Sequence, residues 1–367
     1  MITDVSTPGL DIERVELYLK SLLGNGVTVL RLAHLGEEPD QEIKGFGYGT
    51  PIRVDYQTAD RMPHSLVLHT ISPGPFGHEH MADRARTLLW SHQAFNRLPR
   101  HVRSFDVGGF ETNGHLISVG GVEEFCLLTE YAEGEAYALD LERLRDSGKL
   151  ADLDLARADA LCDYLAGIHG VRIDDPGLYI RRNRELVGDG ECIMGLADSY
   201  PHHALFTAEV LEQIEHRSVE WRWRLKHLTH RLRQVHGDFH PWNILFGAGT
   251  DFRLLDRSRG EYGDPADDVT CLTGNYLFFS LQRSGRLEGL FESLFRRFWD
   301  RYLEKTGDRE MLQVVAPFFA FRGLVMASPV WYPHLSGTVR ERLMSFILSV
   351  LETERFDPGQ VNTYCGA

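Results

Sequence analysis

Two textures succeed each other along the 367 residues, and that change limits the fold more than any other feature. From about residue 27 to residue 130, short β-rich runs alternate with Gly, Pro and Asn, at 27–32, 51–56, 65–71, 115–119 and 125–130. One helical segment interrupts them at about 77–96, where Met81, Ala85, Leu88, Leu89 and Trp90 recur mostly at three- and four-residue steps. Beyond Glu130 the period turns helical. Segment 156–171 sets Ala160, Leu161, Tyr164, Leu165 and Ile168 on one face, and 208–226, 290–305, 309–328 and 338–354 read as helices, some with short breaks. The pattern predicts an α+β, two-lobed plan. A β-rich N-terminal lobe covers 1–130, a connection covers 131–137, and a mainly helical C-terminal lobe covers 138–367, with a ligand expected in the cleft between them.

The most informative segment is Val235-His236-Gly237-Asp238-Phe239-His240-Pro241-Trp242-Asn243-Ile244-Leu245-Phe246, followed by Phe252-Arg253-Leu254-Leu255-Asp256. Gly237 and Pro241 make a loop, with Asp238 in its first half and Asn243 at its end. A strand opens at Asn243, residues 247–251 turn, and a second strand returns to Asp256. A hairpin brings its open ends together, so Asn243 and Asp256 are expected beside Asp238. Phosphoryl transfer needs such a set, because its barrier falls through positioning and charge neutralisation. Asp256 and the amide oxygen of Asn243 are hard ligands suited to Mg2+. Asp238 is then free to accept the proton of an attacking hydroxyl or to hold it in line.

His236-Gly237-Asp238 with Asn243 five positions on resembles the catalytic loop of kinase-like enzymes, and the HGDxHPxN wording is that of the aminoglycoside phosphotransferase and choline kinase relatives. Gly263-Asp264-Pro265 with Asp268 resembles the GDPxxD segment of the same family. The resemblance implies a protein-kinase-like fold and an Mg-dependent transfer of the γ-phosphoryl group of ATP or GTP to a small-molecule hydroxyl. It makes Asp238 the catalytic group and Asn243 and Asp256 the metal ligands. His236 and His240 become loop-positioning groups rather than bases, and Asp264 and Asp268 supports of the loop rather than metal or substrate groups. Trp242 itself reads as a packing residue, with substrate stacking as the alternative. A nucleotide-binding pseudokinase and a nucleotidyl transferase using the same site are the alternatives.

The resemblance reaches the N-terminal lobe only loosely. Gly45, Gly47 and Gly49 look like a nucleotide-covering hairpin whose backbone N–H groups approach phosphates. The following strand should carry the lysine that pairs with the α- and β-phosphates, and His69 stands there instead. Histidine is mostly neutral near pH 7, so it does not supply lysine's constant charge. Glu79 is the natural partner of a cation on that strand, and Lys44, Arg53 and Arg84 are other candidates for the phosphate clamp. Glu130-Tyr131-Ala132 resembles the connection whose backbone meets the adenine edge. His78 and His80 would point to different faces of a helix, which argues against zinc.

Glu133, Glu135, Asp140 and Glu142 read as a helix start or an acidic rim, and Arg181, Arg182 and Arg184 as a helix turn or an anion clamp. A net charge of −14 argues against a nucleic-acid groove. The apolar stretch 314–331 is broken by Pro317, Arg322 and Pro329, so it reads as a buried helix and not as a membrane span. Five separated cysteines without a CxxC pair, and an N-terminus without a secretory pattern, suggest a reducing, cytoplasmic setting. A monomer and a homodimer both fit. The expected partner is a small-molecule hydroxyl substrate, with no nucleic acid and no membrane.

Overall fold

The computed structural model describes residues 2–4, 7–35, 49, 51–74, 76–202 and 204–366. Gly45, Gly47 and Lys44 lie outside the described residues, whereas Gly49 is inside. The chain divides into two compact units, Met1–Thr129 and Glu130–Ala367. Each is an assembly of its own, and the helices and strands of both give an α+β content.

In the first unit, β1 (Ile2–Asp4) and β2 (Thr7–Leu10) pair, and α1 (Ile12–Leu23) follows. Asp11 caps α1 by accepting from the Arg14 N–H at 2.9 Å, and Gly24 ends it at φ +95°. β3 (Thr28–His34), β4 (Ile52–Gln57) and β5 (Pro63–Leu68) form an antiparallel sheet in that order. Alternation along β4 sends Ile52, Val54 and Tyr56 inward to meet Val15 and Leu19 of α1. On the outer face Arg53 Nε donates to Asp55 at 2.7 Å, so this candidate clamp is tied within its own sheet. α2 (Met81–Phe95), β6 (Gly108–Phe110) and β7 (Leu116–Ser118) complete the unit.

Two expectations fail here. The helix foreseen at 77–96 starts only at Met81, because His80 takes the cap position with the Asp83 carboxylate on its N–H at 2.8 Å. Glu79 therefore precedes the helix, and its carbonyl accepts from Arg84 Nη1 at 3.1 Å. Residues 125–130 form no strand. An apolar run supplies side chains for a strand but no neighbouring backbone, and none pairs with these residues among those described.

The second unit begins with β8 (Glu135–Ala136) and continues through α3 (Tyr137–Ser147), α4 (Asp152–Ile168), α5 (Pro176–Gly188), α6 (Ile193–Ser199) and α7 (Ala208–Leu225). Four short strands follow: β9 (Arg233–Gln234), β10 (Ile244–Phe246), β11 (Phe252–Leu254) and β12 (Tyr262–Gly263). Then come α8 (Ala266–Ser284), α9 (Gly289–Thr306), α10 (Ala316–Ala327), α11 (Gly337–Leu351) and α12 (Val361–Tyr364). The helix expected over 309–328 is broken into a 3-10 turn at Arg309–Gln313 and α10, with Pro317 in the first turn of α10 where a missing N–H costs nothing.

α8 is buried on nearly every face, surrounded by α3, α9 and α10. Phe291, Phe295, Trp299 and Phe319 fill the same core. Truncating one such ring to Ala typically costs about 3–5 kcal/mol, so the helices that carry the site are held firmly. Among the described residues no helix is long and apolar enough to cross a membrane.

Candidate active site

The pairing of β9 with β12 sets Arg233 opposite Gly263 and Gln234 opposite Tyr262, which places loop 235–243 beside residues 264–268. Gly237 sits at φ +85°, a left-handed conformation that a side chain resists, and a Cβ there would meet the Arg259 side chain at 3.2 Å. Asp268, fully buried, accepts from the His236 and Gly237 N–H groups, each at 2.8 Å, and lies 3.1 Å from His169 Nε2. Burial raises its pKa, but the His169 contact and the backbone donors outweigh this and hold it low. The loop is thus clamped by its backbone.

Beyond it, Pro241–Asn243 makes one 3-10 turn, closed by the Asn243 N–H donating to the His240 carbonyl at 2.9 Å. The Asn243 amide nitrogen donates to the Asp238 carbonyl at 3.1 Å and faces Asp238 Oδ2 at 3.4 Å. The amide oxygen is left as the free end of that group. The His236 ring accepts from the Asp238 N–H at Nδ1, and the His240 ring accepts from the Trp242 N–H at Nδ1, each at 3.2 Å. His240 then carries its proton on Nε2, 3.4 Å from Asp238 Oδ2.

β10 and β11 pair with Ile244 opposite Leu254, and the Leu255 N–H donates to the Asn243 carbonyl at 2.9 Å. Asn243 and Asp256 therefore emerge at the same open end of the hairpin. Asp256 lies at φ +50°, uncommon for a residue with a side chain though tolerated by Asp, and it is exposed. Among the described residues no cluster of three or more His, Cys, Asp or Glu could hold a metal. Asn243 with Asp256 fits a hard divalent cation that takes its remaining ligands from phosphate oxygens and water.

Sequence reasoning missed Arg322. From the middle of α10 it donates through Nη1 to Asp238 Oδ1 at 2.5 Å, and through Nη2 to the Gly237 carbonyl at 2.9 Å and to Asp267 at 2.6 Å. Its guanidinium also lies 4.5 Å above the Phe321 ring. Burial raises the Asp238 pKa, yet the His240 hydrogen bond and the Arg322 charge more than reverse this and hold it well below the usual carboxylate range. Asp267 shows the opposite balance: burial wins over the same arginine and its pKa is raised.

Arg231, equally missed, grips Asp264 through two bonds of 2.8 and 2.9 Å, while Tyr179 donates to that carboxylate at 2.8 Å. Burial opposes ionisation of Asp264, but the Arg231 charge dominates and its pKa falls below the ordinary 3.8. The stability from this pair is accordingly present above about pH 4 and lost on further acidification. Asp264→Asn should cost about 1.5–3 kcal/mol at pH 7. The gap in urea midpoint from the parent protein should narrow as the pH falls below about 4, and a gap independent of pH would refute this assignment.

His69 follows β5 directly and is exposed. Glu130 is exposed and Ala132 half-buried at the start of the second unit, neither in a strand. Asp140 pairs with Arg143 on its own helix and with Arg157 on α4, and both Arg181 and Arg182 reach Glu185 on α5 at 2.6 Å, so these charges are already engaged within the fold.

A family described as the phosphotransferase enzyme family matches residues 61–310, and the chain belongs to that family. None of the curated proteins matches it. Among solved structures it is similar to the amicoumacin kinase hAmiN in complex with AMP-PNP, Ca2+ and Ami, at 14% identity over 90% of this chain and 91% of that one, with a TM-score of 0.41. It is also similar to an ethanolamine kinase of Plasmodium vivax (16% identity, 90% and 82% covered, TM-score 0.33). A third is the ADP-bound aminoglycoside phosphotransferase APH(2'')-Ib (13% identity, 95% and 100% covered, TM-score 0.33).

Proposed function

We propose that this chain transfers the γ-phosphoryl group of ATP or GTP to a hydroxyl of a small molecule. The observation that carries the reading is the carboxylate of Asp238. One of its oxygens is fixed by Arg322, and the other faces the open end of the hairpin where Asn243 and Asp256 emerge. In this reading Asn243 and Asp256 hold Mg2+, which neutralises charge on the transferred group. Asp238 Oδ2 orients the acceptor hydroxyl and takes its proton, with His240 steadying that oxygen. The proposed organisation has a nucleotide-covering lobe over 1–130, a connection over 131–137 and a catalytic lobe over 138–367. Gly45, Gly47, Gly49, His69 and Glu79 are the nucleotide's side-chain and loop contacts, and Glu130 and Ala132 its backbone contacts.

His69 favours a second reading, a nucleotide-binding pseudokinase, because the expected constant cation is missing from that strand. Mass spectrometry of reactions with ATP, Mg2+ and an alcohol panel separates them. Products heavier by one phosphate support the kinase, bound ATP with no product on any alcohol supports the pseudokinase, and addition of AMP supports nucleotidyl transfer. Asp256→Ala should raise the Mg2+ concentration for half-maximal turnover by at least the roughly 10–100-fold that loss of an outer-shell partner costs. An unchanged Mg2+ requirement would remove Asp256 from the metal site.

A further inference from the structure

A cavity of about 400 Å³ opens in the second unit between α8 and the segment joining α10 to α11, lined chiefly by Gln282, Trp331, Tyr332, His334, Ser336 and Val339. That size falls within the range of small-molecule pockets. Its wall is built in advance. Buried Arg340 donates to the Ala327 carbonyl at 2.6 Å and also to the Tyr332 carbonyl, tying the end of α10 to the middle of the connecting segment. Within the turn the Tyr332 N–H donates to the Ser328 carbonyl at 2.9 Å, and the Leu335 N–H to the Tyr332 carbonyl at 3.2 Å.

The chemistry of the lining is narrow. It contains no Asp, Glu, Lys or Arg among the described residues, and aromatic rings dominate it. Trp331 is 63% exposed and makes no ring contact among the described residues, so the fold itself leaves its face unused. Cations stand behind the wall. Arg145 donates to Gln282 Oε1 at 3.2 Å and lies over Phe279, and Arg340 holds Tyr332. With no carboxylate among the described residues of the lining, a polycation finds no counter-ion there, and the rings suit a flat, uncharged ligand.

One wall residue of the pocket, Tyr332, adjoins the catalytic loop. Trp242 lies between His240 and Asn243, and its ring packs on Phe279 at 6.1 Å and on Tyr332 at 6.3 Å, while the His240 ring is 5.8 Å away. Tyr332 is thus wall to the pocket on one side and neighbour to the loop on the other.

We propose that this pocket binds the uncharged ring portion of the acceptor, stacked on Trp331 and Tyr332, while the acceptor's hydroxyl reaches over Trp242 to Asp238. The inference rests on the kinase reading above and assigns the acceptor to neutral aryl or ring-bearing alcohols, not to polyamines. Phenyl β-D-glucoside and kanamycin serve as neutral and polycationic probes, and ligand-observed saturation-transfer NMR on the full chain reads their binding. Phenyl β-D-glucoside should bind saturably, and Trp331→Ala and Val339→Glu should each weaken it at least about tenfold. Trp331 is exposed, so its removal leaves the core intact. Absence of glucoside binding, binding indifferent to both substitutions, or kanamycin binding lost with Trp331→Ala would each overturn the proposal. Binding retained in Asp238→Asn separates the two claims. A pocket that binds the glucoside in a chain that transfers nothing refutes the kinase reading alone, whereas transfer to alcohols unaffected by Trp331→Ala refutes the pocket alone.

Discussion

Asp238→Asn is expected to lower turnover by roughly 10²–10⁴-fold while the fold and nucleotide affinity stay near those of the parent protein. The amide keeps the shape of the carboxylate and can still present an oxygen to the Arg322 Nη1 group that now sits 2.5 Å from Oδ1. It loses the charge and the lone pairs at the position facing His240. Burial by itself would favour the protonated acid, but the His240 bond and the Arg322 charge keep Asp238 below its ordinary value of 3.8, so it is ionised at every pH above about 4. Any fall in activity between pH 8 and pH 5 must then come from another group. ADP release measured with an alcohol acceptor, alongside nucleotide titration by thermal shift, tests both parts. Unaltered turnover would remove Asp238 from the chemistry, and lost nucleotide affinity would make its role one of binding.

Arg322→Met is expected to cost about 3–5 kcal/mol of stability, on a par with the loss of a core ring. Arg322 is only 6% exposed and bridges Asp238 and Asp267, so its removal leaves two carboxylates with little water to replace the lost cation. Asp267 is already the strained member, since burial raises its pKa despite the arginine. Its charge therefore opposes folding at neutral pH, and that penalty eases as the pH falls toward its raised pKa. Arg322→Met combined with Asp267→Asn should accordingly recover part of the loss. Arg322→Lys should keep more stability than Met but less activity than the parent, because an ammonium cannot reproduce the fork that holds Asp238, Asp267 and the Gly237 carbonyl together. Urea midpoints of the four proteins decide the matter. A double variant no more stable than Arg322→Met would show that Asp267 is not the carboxylate at fault.

The hairpin that presents Asn243 and Asp256 was legible because its determinants are local: an apolar triplet, a Phe-Arg-Leu return, a Gly-rich turn, and polar residues where the strands end. The distant partners of the groups that brace the loop were not. Arg322 and Asp238 are 84 positions apart, His169 and Asp268 are 99 apart, and Tyr179 and Asp264 are 85 apart, distances over which periodicity carries no information. A signal for Arg322 did exist. A lone cation in the apolar stretch 314–331 can be buried only with a partner, and the segment 264–268 offers an extra carboxylate at Asp267. The run 125–130 misled for the converse reason, since its composition suits a strand but pairing depends on what backbone lies alongside. β8 escaped notice because two residues are too few to show a period.

That short strand gives the hairpin a third member: Ala136 pairs with Leu245 and Glu135 with Phe246, so β10 is the middle strand of three. Immediately before it, Gly134 adopts φ +149°, and a Cβ there would fall 2.9 Å from the Phe246 carbonyl. A methyl group at this position would push against the backbone three residues past Asn243, with no contact to the carboxylates themselves. Gly134 is in this sense a calibration screw for the spacing of Asn243 and Asp256. On the metal role proposed for Asn243 and Asp256, a lineage that seeks a different metal has there a means of altering their separation while both residues keep their identity.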